Sequence, residues 1–131
     1  MVIFVVLMAT LLSVAQAGCE RADSQAEMNA CAVLQANAAQ HEMDLEWIRS
    51  SSVMKRLDRT PEVGHDSRGT YFSALLNAQR AWLKFRDAQC RIEGFGSRGG
   101  SIEPMVESQC YNRLTRKRTQ WLREYRRSFG E

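Results

Sequence analysis

The residues that first suggest chemistry are Cys19, Cys31, Cys90, Cys110, His41, His65 and the carboxylate pair Glu42 and Glu46. His41-Glu42 matches the first half of an H-E-x-x-H zinc helix, where two imidazoles four residues apart share one face and the Glu serves as base. Leu45 holds the second ligand position, so the motif fails. Glu42 and Glu46 share a helix face at i, i+4, but at that spacing paired carboxylates point to water more readily than they flank a glycosidic bond. There is no C-x-x-C, so zinc and thioredoxin-type readings lose support. G-x-S-x-G elbows, phosphate-binding loops and dinucleotide fingerprints are also missing from the sequence. No nucleophile, base and oxyanion set can be assembled, so the chain reads as non-enzymatic, with no catalytic, cofactor-binding or metal residues to name. His41 and His65 read as surface residues.

The cysteines then read as structural. Four allow three pairings. The local one, Cys19 with Cys31 and Cys90 with Cys110, needs the fewest assumptions, and each such bond contributes about 2–4 kcal/mol by restricting the unfolded chain.

The elements that position these residues are helical. The chain has 131 residues, which suits one domain. With 44% hydrophobic and 25% charged residues it is a folded chain rather than a disordered one. Ser24-Gln25-Ala26-Glu27 is a capping box that opens a helix running to about Leu57, with fraying expected at Ser50-Ser51-Ser52 and an end enforced by Thr60-Pro61 and Gly64. A second helix is predicted from Thr70 to Glu93. Its core face holds Phe72, Leu75, Leu76, Gln79, Trp82, Leu83, Arg86 and Cys90, with Tyr71 and Phe85 on one flank and Arg80, Lys84, Asp87 and Arg91 outside. Gly94 to Gly100 reads as a flexible connector. Ser101 is placed to cap a third helix running to about Ser128, with Pro104 in its first turn and Cys110, Leu114, Trp121, Leu122 and Tyr125 on its inner face. The expected fold class is all-α: a three-helix antiparallel hairpin or bundle stapled by two disulfides.

Polar residues interrupt the apolar stripes. Arg86 and Gln79 lie among Phe72, Leu75, Trp82 and Leu83, and Arg118 lies between Leu114, Trp121 and Tyr125. An Arg in such a place is paired or reaches to water, so Gln79, Trp82, Arg86, Arg118 and an acid of the first helix such as Asp44 form either a core polar network or a partner-binding groove. Charge is unevenly spread. Cys19 to Ser52 holds six acids and two bases, whereas Tyr111 to the end holds seven bases and two acids. The simplest use of that asymmetry is internal, with the first helix beside the third. Arg113, Arg116, Lys117, Arg123 and Arg127 form a basic outer face that is solvated or meets an anionic glycan, a lipid surface or an acidic protein. A net charge of +3 gives no reason to expect a nucleic acid.

Residues 2 to 15 are uncharged and apolar, and Ala15-Gln16-Ala17 supplies an A-x-A site. This is the pattern of a signal peptide covering 1–17 and cleaved after Ala17, leaving a single helical domain over 18–131 in the periplasm or outside the cell. An exported chain with four cysteines favours disulfides. A lipoprotein anchor on Cys19 is the weaker alternative, because Gln16 stands where a Leu-like residue is expected.

The segments QAEMNACA (Gln25 to Ala32), AQRAWLKFRDAQC (Ala78 to Cys90) and GGSIEPMVESQCYNRLTRKRTQWL (Gly99 to Leu122) resemble the LprI-type lysozyme-inhibitor domain family, small exported bacterial proteins. The W-x-x-F-R-D-x-x-C run from Trp82 to Cys90 is the most specific part. The resemblance implies an all-helical hairpin-like fold with Cys19 bonded to Cys31 and Cys90 to Cys110, so that Cys19 carries no lipid. Gln40, Asp44 and Trp47 stand where members of the family tend to carry Asp, Asn and Tyr, which leaves Asp44 as the acid for Arg86 or Arg118. The family name implies inhibition of a lysozyme-like hydrolase. A toxin bound by an immunity or envelope-stress protein, or the cell envelope itself, are the alternative partners. The loops Pro61 to Gly69 and Gly94 to Gly100 are the candidate plugs, and Arg98 is the residue placed to approach catalytic carboxylates. The sequence leaves the oligomeric state open.

Overall fold

The computed structural model describes residues 19–61 and 66–130. The expected signal segment, Gly64 and His65 lie outside them. Helix α1 spans Gln25–Leu57, α2 spans Tyr71–Gly94 and α3 spans Glu103–Arg127, with a 3-10 turn at Phe95–Ser97 joining the last two. The described residues contain no strand. Among them no helix is long and apolar enough to cross a membrane.

The helix starts are written in side-chain chemistry. Ser24 and Glu27 form the reciprocal capping box on α1, and Thr70 and Ser73 do the same on α2. Asp58, just past the end of α1, accepts the free N–H groups of Tyr71 (2.7 Å) and Phe72 (3.1 Å), so one carboxylate ends α1 and helps to start α2. Ser101 does not cap α3. Ile102 holds that position without a side-chain bond, and Pro104 sits in the first turn, where its missing N–H costs nothing. The Ser101 carbonyl instead accepts a 2.9 Å bond from the Asn29 side chain, tying the starts of α1 and α3 together.

That tie, and the Glu46–Arg126 contact further along, show α1 and α3 running parallel, with α2 antiparallel between them in sequence. Of the three helix pairs, α1–α3 is in the most extensive contact and α1–α2 in the least. Small residues buried on both helices suit a close approach: Ala32, Ala39, Ser50 and Ser51 on α1, and Cys110, Thr115 and Thr119 on α3. The expected fraying at Ser50–Ser52 is therefore wrong. Ser50 and Ser51 are buried at the helix contact, and Ser50 Oγ lies 3.3 Å from both Glu46 Oε1 and the Leu122 carbonyl. A hydroxyl that hurts an isolated helix is satisfied here by the neighbouring one.

Met43, Val53, Met54, Leu75 and Leu122 form the apolar core, with Trp47, Phe72, Trp82, Leu83 and Tyr125 packed around it. Each of the large side chains contributes about 1.5–3 kcal/mol by leaving water. The inner face of α2 matches expectation, and Arg80, Lys84, Asp87 and Arg91 point outward. Phe85 is exposed rather than joining the core. On α3 the buried line is Cys110, Thr115, Thr119 and Leu122, while Trp121 is 42% exposed, so the inner face is rotated away from the aromatic side. The hydrophobic stripe misled because two threonines do the close packing.

Cys19 is bonded to Cys31 and Cys90 to Cys110, the local pairing. The second bond closes a loop that is more structured than a flexible connector. Gly94 completes α2, and a Cβ there would already lie 3.4 Å from Glu107 on α3. The Gly99 N–H, at φ +77°, donates to Glu103 Oε2 over 2.7 Å.

Candidate functional site

Arg86 on α2 reaches all three helices. Its Nη1 donates to Gln40 Oε1 on α1 (2.7 Å) and to Thr115 Oγ1 on α3 (3.2 Å), and its remaining nitrogens meet Asp87 at 3.0–3.1 Å. The rings of Trp82 and Tyr111 lie 5.4 and 5.0 Å from the guanidinium carbon. The expected direct ion pair with Asp44 does not form. Asp44 is exposed and accepts the Gln40 side-chain N–H (2.8 Å), which turns the Gln40 carbonyl oxygen toward Arg86. Gln40 thus relays between the Arg86 cation and the Asp44 carboxylate.

One turn along, Arg118 on α3 donates from Nε to Gln79 Oε1 (2.9 Å), and Gln79 in turn approaches Met43 Sδ at 3.6 Å. The Arg118 guanidinium covers Trp121 at 4.4 Å and reaches Trp82 at 5.7 Å, so Trp82 lies between two cations. Its Nη2 is buried with no hydrogen-bond partner, and burial pushes its pKa below the usual Arg value. Gln79, Trp82, Arg86 and Arg118 are thereby brought together inside the bundle. A cleft of about 280 Å³, lined by Val33, Gln40, Arg86, Tyr111 and Thr115 among others, opens beside them. Burial raises the Tyr111 pKa first, with Asp87 and Glu107 adding to it against Arg86 and Arg91.

The residue the sequence reading misplaced is Glu46. It does not face water with Glu42. Glu42 is exposed, but Glu46 is 1% exposed between α1 and α3. Arg126 donates from Nε at 2.7 Å, Arg123 approaches at 3.7 Å and Arg49 at 3.8 Å. Burial pushes the carboxyl pKa up, but the bond and charge of Arg126, the Ser50 hydroxyl and Arg123 outweigh it and hold it below the usual value. A signal was present: Ser50 and Glu46 share a face with Met43 and Val53.

The basic face is divided by the same geometry. Arg123 turns toward Glu46, and Arg113 Nη2 donates to both carboxylate oxygens of Glu93 on α2 at 2.8–2.9 Å. Arg116 bonds Asn112, and Lys117 and Arg127 are exposed. Arg116, Arg123 and Arg127 line a shallow groove of about 360 Å³ together with the carboxylates of Glu42 and Glu124. Arg98 lies apart from all of these, at the tip of the α2–α3 turn. Its guanidinium sits 4.4 Å over Phe95, and Phe95 and Ile102 are each 39% exposed beside it. His41 is exposed. Among the described residues no three His, Cys, Asp or Glu side chains come together as a metal site.

The family model described as "Lysozyme inhibitor LprI" matches residues 15–122. An uncharacterized protein of Rhizobium meliloti (strain 1021) is 42% identical over 109 residues, covering 81% of this chain and 76% of that protein. No solved structure matches significantly. The W-x-x-F-R-D-x-x-C run that builds the Arg86 cluster lies within the matched region, and the chain belongs to the LprI family.

Proposed function

We propose that this chain is an exported, non-enzymatic binding protein that occludes a peptidoglycan-cleaving enzyme of the lysozyme type. Membership of a family described as lysozyme inhibitors carries the reading. The buried cluster of Arg86, Arg118, Gln79 and Trp82 acts as scaffold rather than contact surface. The contact falls to the α2–α3 tip, where Phe95, Arg98 and Ile102 stand out from a base tied by the Cys90–Cys110 bond. A rigid apolar knuckle with one cation suits a cleft lined by carboxylates, since little ordering is lost on binding. Export through cleavage after Ala17 belongs to the same reading.

A panel of lysozyme classes assayed with purified protein tests it. Inhibition that falls at least tenfold in Arg98→Ala and Phe95→Ala supports the tip. No inhibition of any class at micromolar protein overturns the reading.

A second reading, an envelope module, draws on the groove lined by Arg116, Arg123 and Arg127. Envelope binding that survives Arg116→Glu with Arg127→Glu rules it out.

A further inference from the structure

The cross-links between α1 and α2 run from Asp58–Tyr71 through Trp47–Phe72 and Met43–Gln79 to Gln40–Arg86. At the last of these lies the cleft of about 280 Å³, bordered by α1 and α3, with Arg86 of α2 among its lining. The Arg86 side chain is only 11% exposed and closes the inner side. The α1 border runs from Val33 to Gln40, about 10 Å of helix. That length suits one small ring and is too short for the face of a folded partner.

The lining divides into groups whose hydrogen bonds are spent and groups whose bonds are not. Arg86 donates from Nη1 to Gln40 and Thr115 and meets Asp87 with its other nitrogens, and Gln40 donates to Asp44. These residues fix the shape of the cleft. The Asn37 amide and the Ser108 and Tyr111 hydroxyls line it too, and among the described residues they make no side-chain hydrogen bond. Burial, with Asp87 and Glu107, raises the Tyr111 pKa, so its hydroxyl keeps its proton at neutral pH. All three groups therefore both donate and accept. Val33 and Ala36 supply an apolar wall.

Charge decides the kind of ligand. The charges acting on Tyr111 are two acids, Asp87 and Glu107, and two bases, Arg86 and Arg91, and Arg86 is already paired with Asp87 at 3.0 Å. An anion would meet the acids and a cation the bases, and neither recovers the hydration it gives up. A wholly apolar ligand would strip water from three polar groups without replacing their bonds. A ring with hydroxyls at its edge and C–H groups on its faces satisfies both kinds of wall.

We propose that this cleft binds an uncharged pyranose sugar, with Asn37, Ser108 and Tyr111 bonding its hydroxyls and Val33 and Ala36 against a C–H face. Arg86 is a positioning residue that holds Gln40 and Thr115 in place. One ring makes few bonds, so the dissociation constant is roughly millimolar. The site is separate from the tip that carries Arg98, and its test contains no lysozyme.

Proton–nitrogen NMR of the exported chain, titrated with glucose, galactose, mannose and N-acetylglucosamine to about 50 mM, tests this. At least one of the four is expected to give saturable shifts at the Asn37 side-chain amide and at the backbone amides of Ser108 and Tyr111. Asn37→Ala, Ser108→Ala and Tyr111→Phe each remove one neutral hydrogen bond and raise the dissociation constant by about two- to tenfold, with helical circular dichroism unchanged. Glucuronate and glucosamine, the charged counterparts, bind more weakly than the best neutral sugar. A neutral oligosaccharide of that sugar that binds at least as tightly marks the end of a glycan as the ligand, and weaker binding marks the free sugar. No saturable shift at these residues with any neutral sugar, tighter binding of glucuronate or glucosamine, or binding indifferent to Asn37→Ala and Tyr111→Phe overturns the proposal.

Discussion

Glu46 lies buried between α1 and α3 and gathers cations, whereas Arg86 and Arg118 lie one to three turns away among amides and aromatic rings. Both clusters place charge inside a small helical bundle, but they neutralise it differently. Glu46 has a guanidinium at 2.7 Å, a second at 3.7 Å and a hydroxyl at 3.3 Å, so its charge is cancelled on the spot. Arg118 has one amide oxygen, two ring faces and a nitrogen left without a partner. A compact anion cannot be shielded by ring faces, which are themselves electron-rich, whereas a flat cation can. The buried carboxylate of Glu46 therefore sits with cations, whereas Arg86 and Arg118 sit against Trp82.

The sharpest way to break this contrast is Glu46→Ala. It removes the buried carboxylate that Arg126 bonds at 2.7 Å and that Arg123 and Arg49 approach, and is expected to cost about 3–5 kcal/mol in urea unfolding with disulfides intact. Acid is a gentler probe of the same group. The folded pKa of Glu46 lies below its ordinary value, so its contribution is complete above the ordinary carboxylate range and is lost as pH falls through that range toward the folded value. Stability measured against pH should lose part of its acid limb in Glu46→Gln. Only part is lost, because Glu93, held down first by its bond from Arg113, still titrates in the same direction.

On the cationic side the effects are smaller and unequal. Arg86→Met removes bonds to Gln40, Thr115 and Asp87 and is expected to cost about 2 kcal/mol. Arg118→Met deletes a desolvated cation with an unpaired nitrogen, and its unfolding free energy should stay within about 1 kcal/mol of the parent. An Arg118→Met loss as large as that of Glu46→Ala would erase the distinction between the two clusters.

Much of the architecture was legible in the sequence. The Ser24–Glu27 capping box, glycine and proline punctuation and the 3.6-residue period place the three helices, and the inner face of α2 reads directly from its apolar stripe. The α1–α3 contact was less legible because its packing runs on Ala, Ser and Thr, which a hydrophobicity pattern treats as neutral or polar. Glu46 was misplaced for a related reason: its face is shared with Met43, Ser50 and Val53, which marks it as inward, but its cation lies 80 residues away and local spacing cannot name it. Asp44 was read as the acid for Arg86, but Gln40 stands between the two. A Gln there can accept a hydrogen bond from Arg86 and donate one to Asp44, which a list of charges does not reveal.

The parallel placement of α1 and α3 also sets an order of assembly. The α2–α3 pair is closed by a short turn and a disulfide spanning 20 residues, whereas Ser50 meets Leu122 and Glu46 meets Arg126 across 72 and 80 residues. Chain closure over the longer distance carries more entropy, so the α2–α3 hairpin can exist first as a template while α1 arrives late. With the disulfides intact, native-state amide exchange should open α1 at lower free energy than the middle of α3, and equal protection in the two helices would contradict that order. On this view the buried carboxylate is a latch, closed by the last helix to dock and the first to leave.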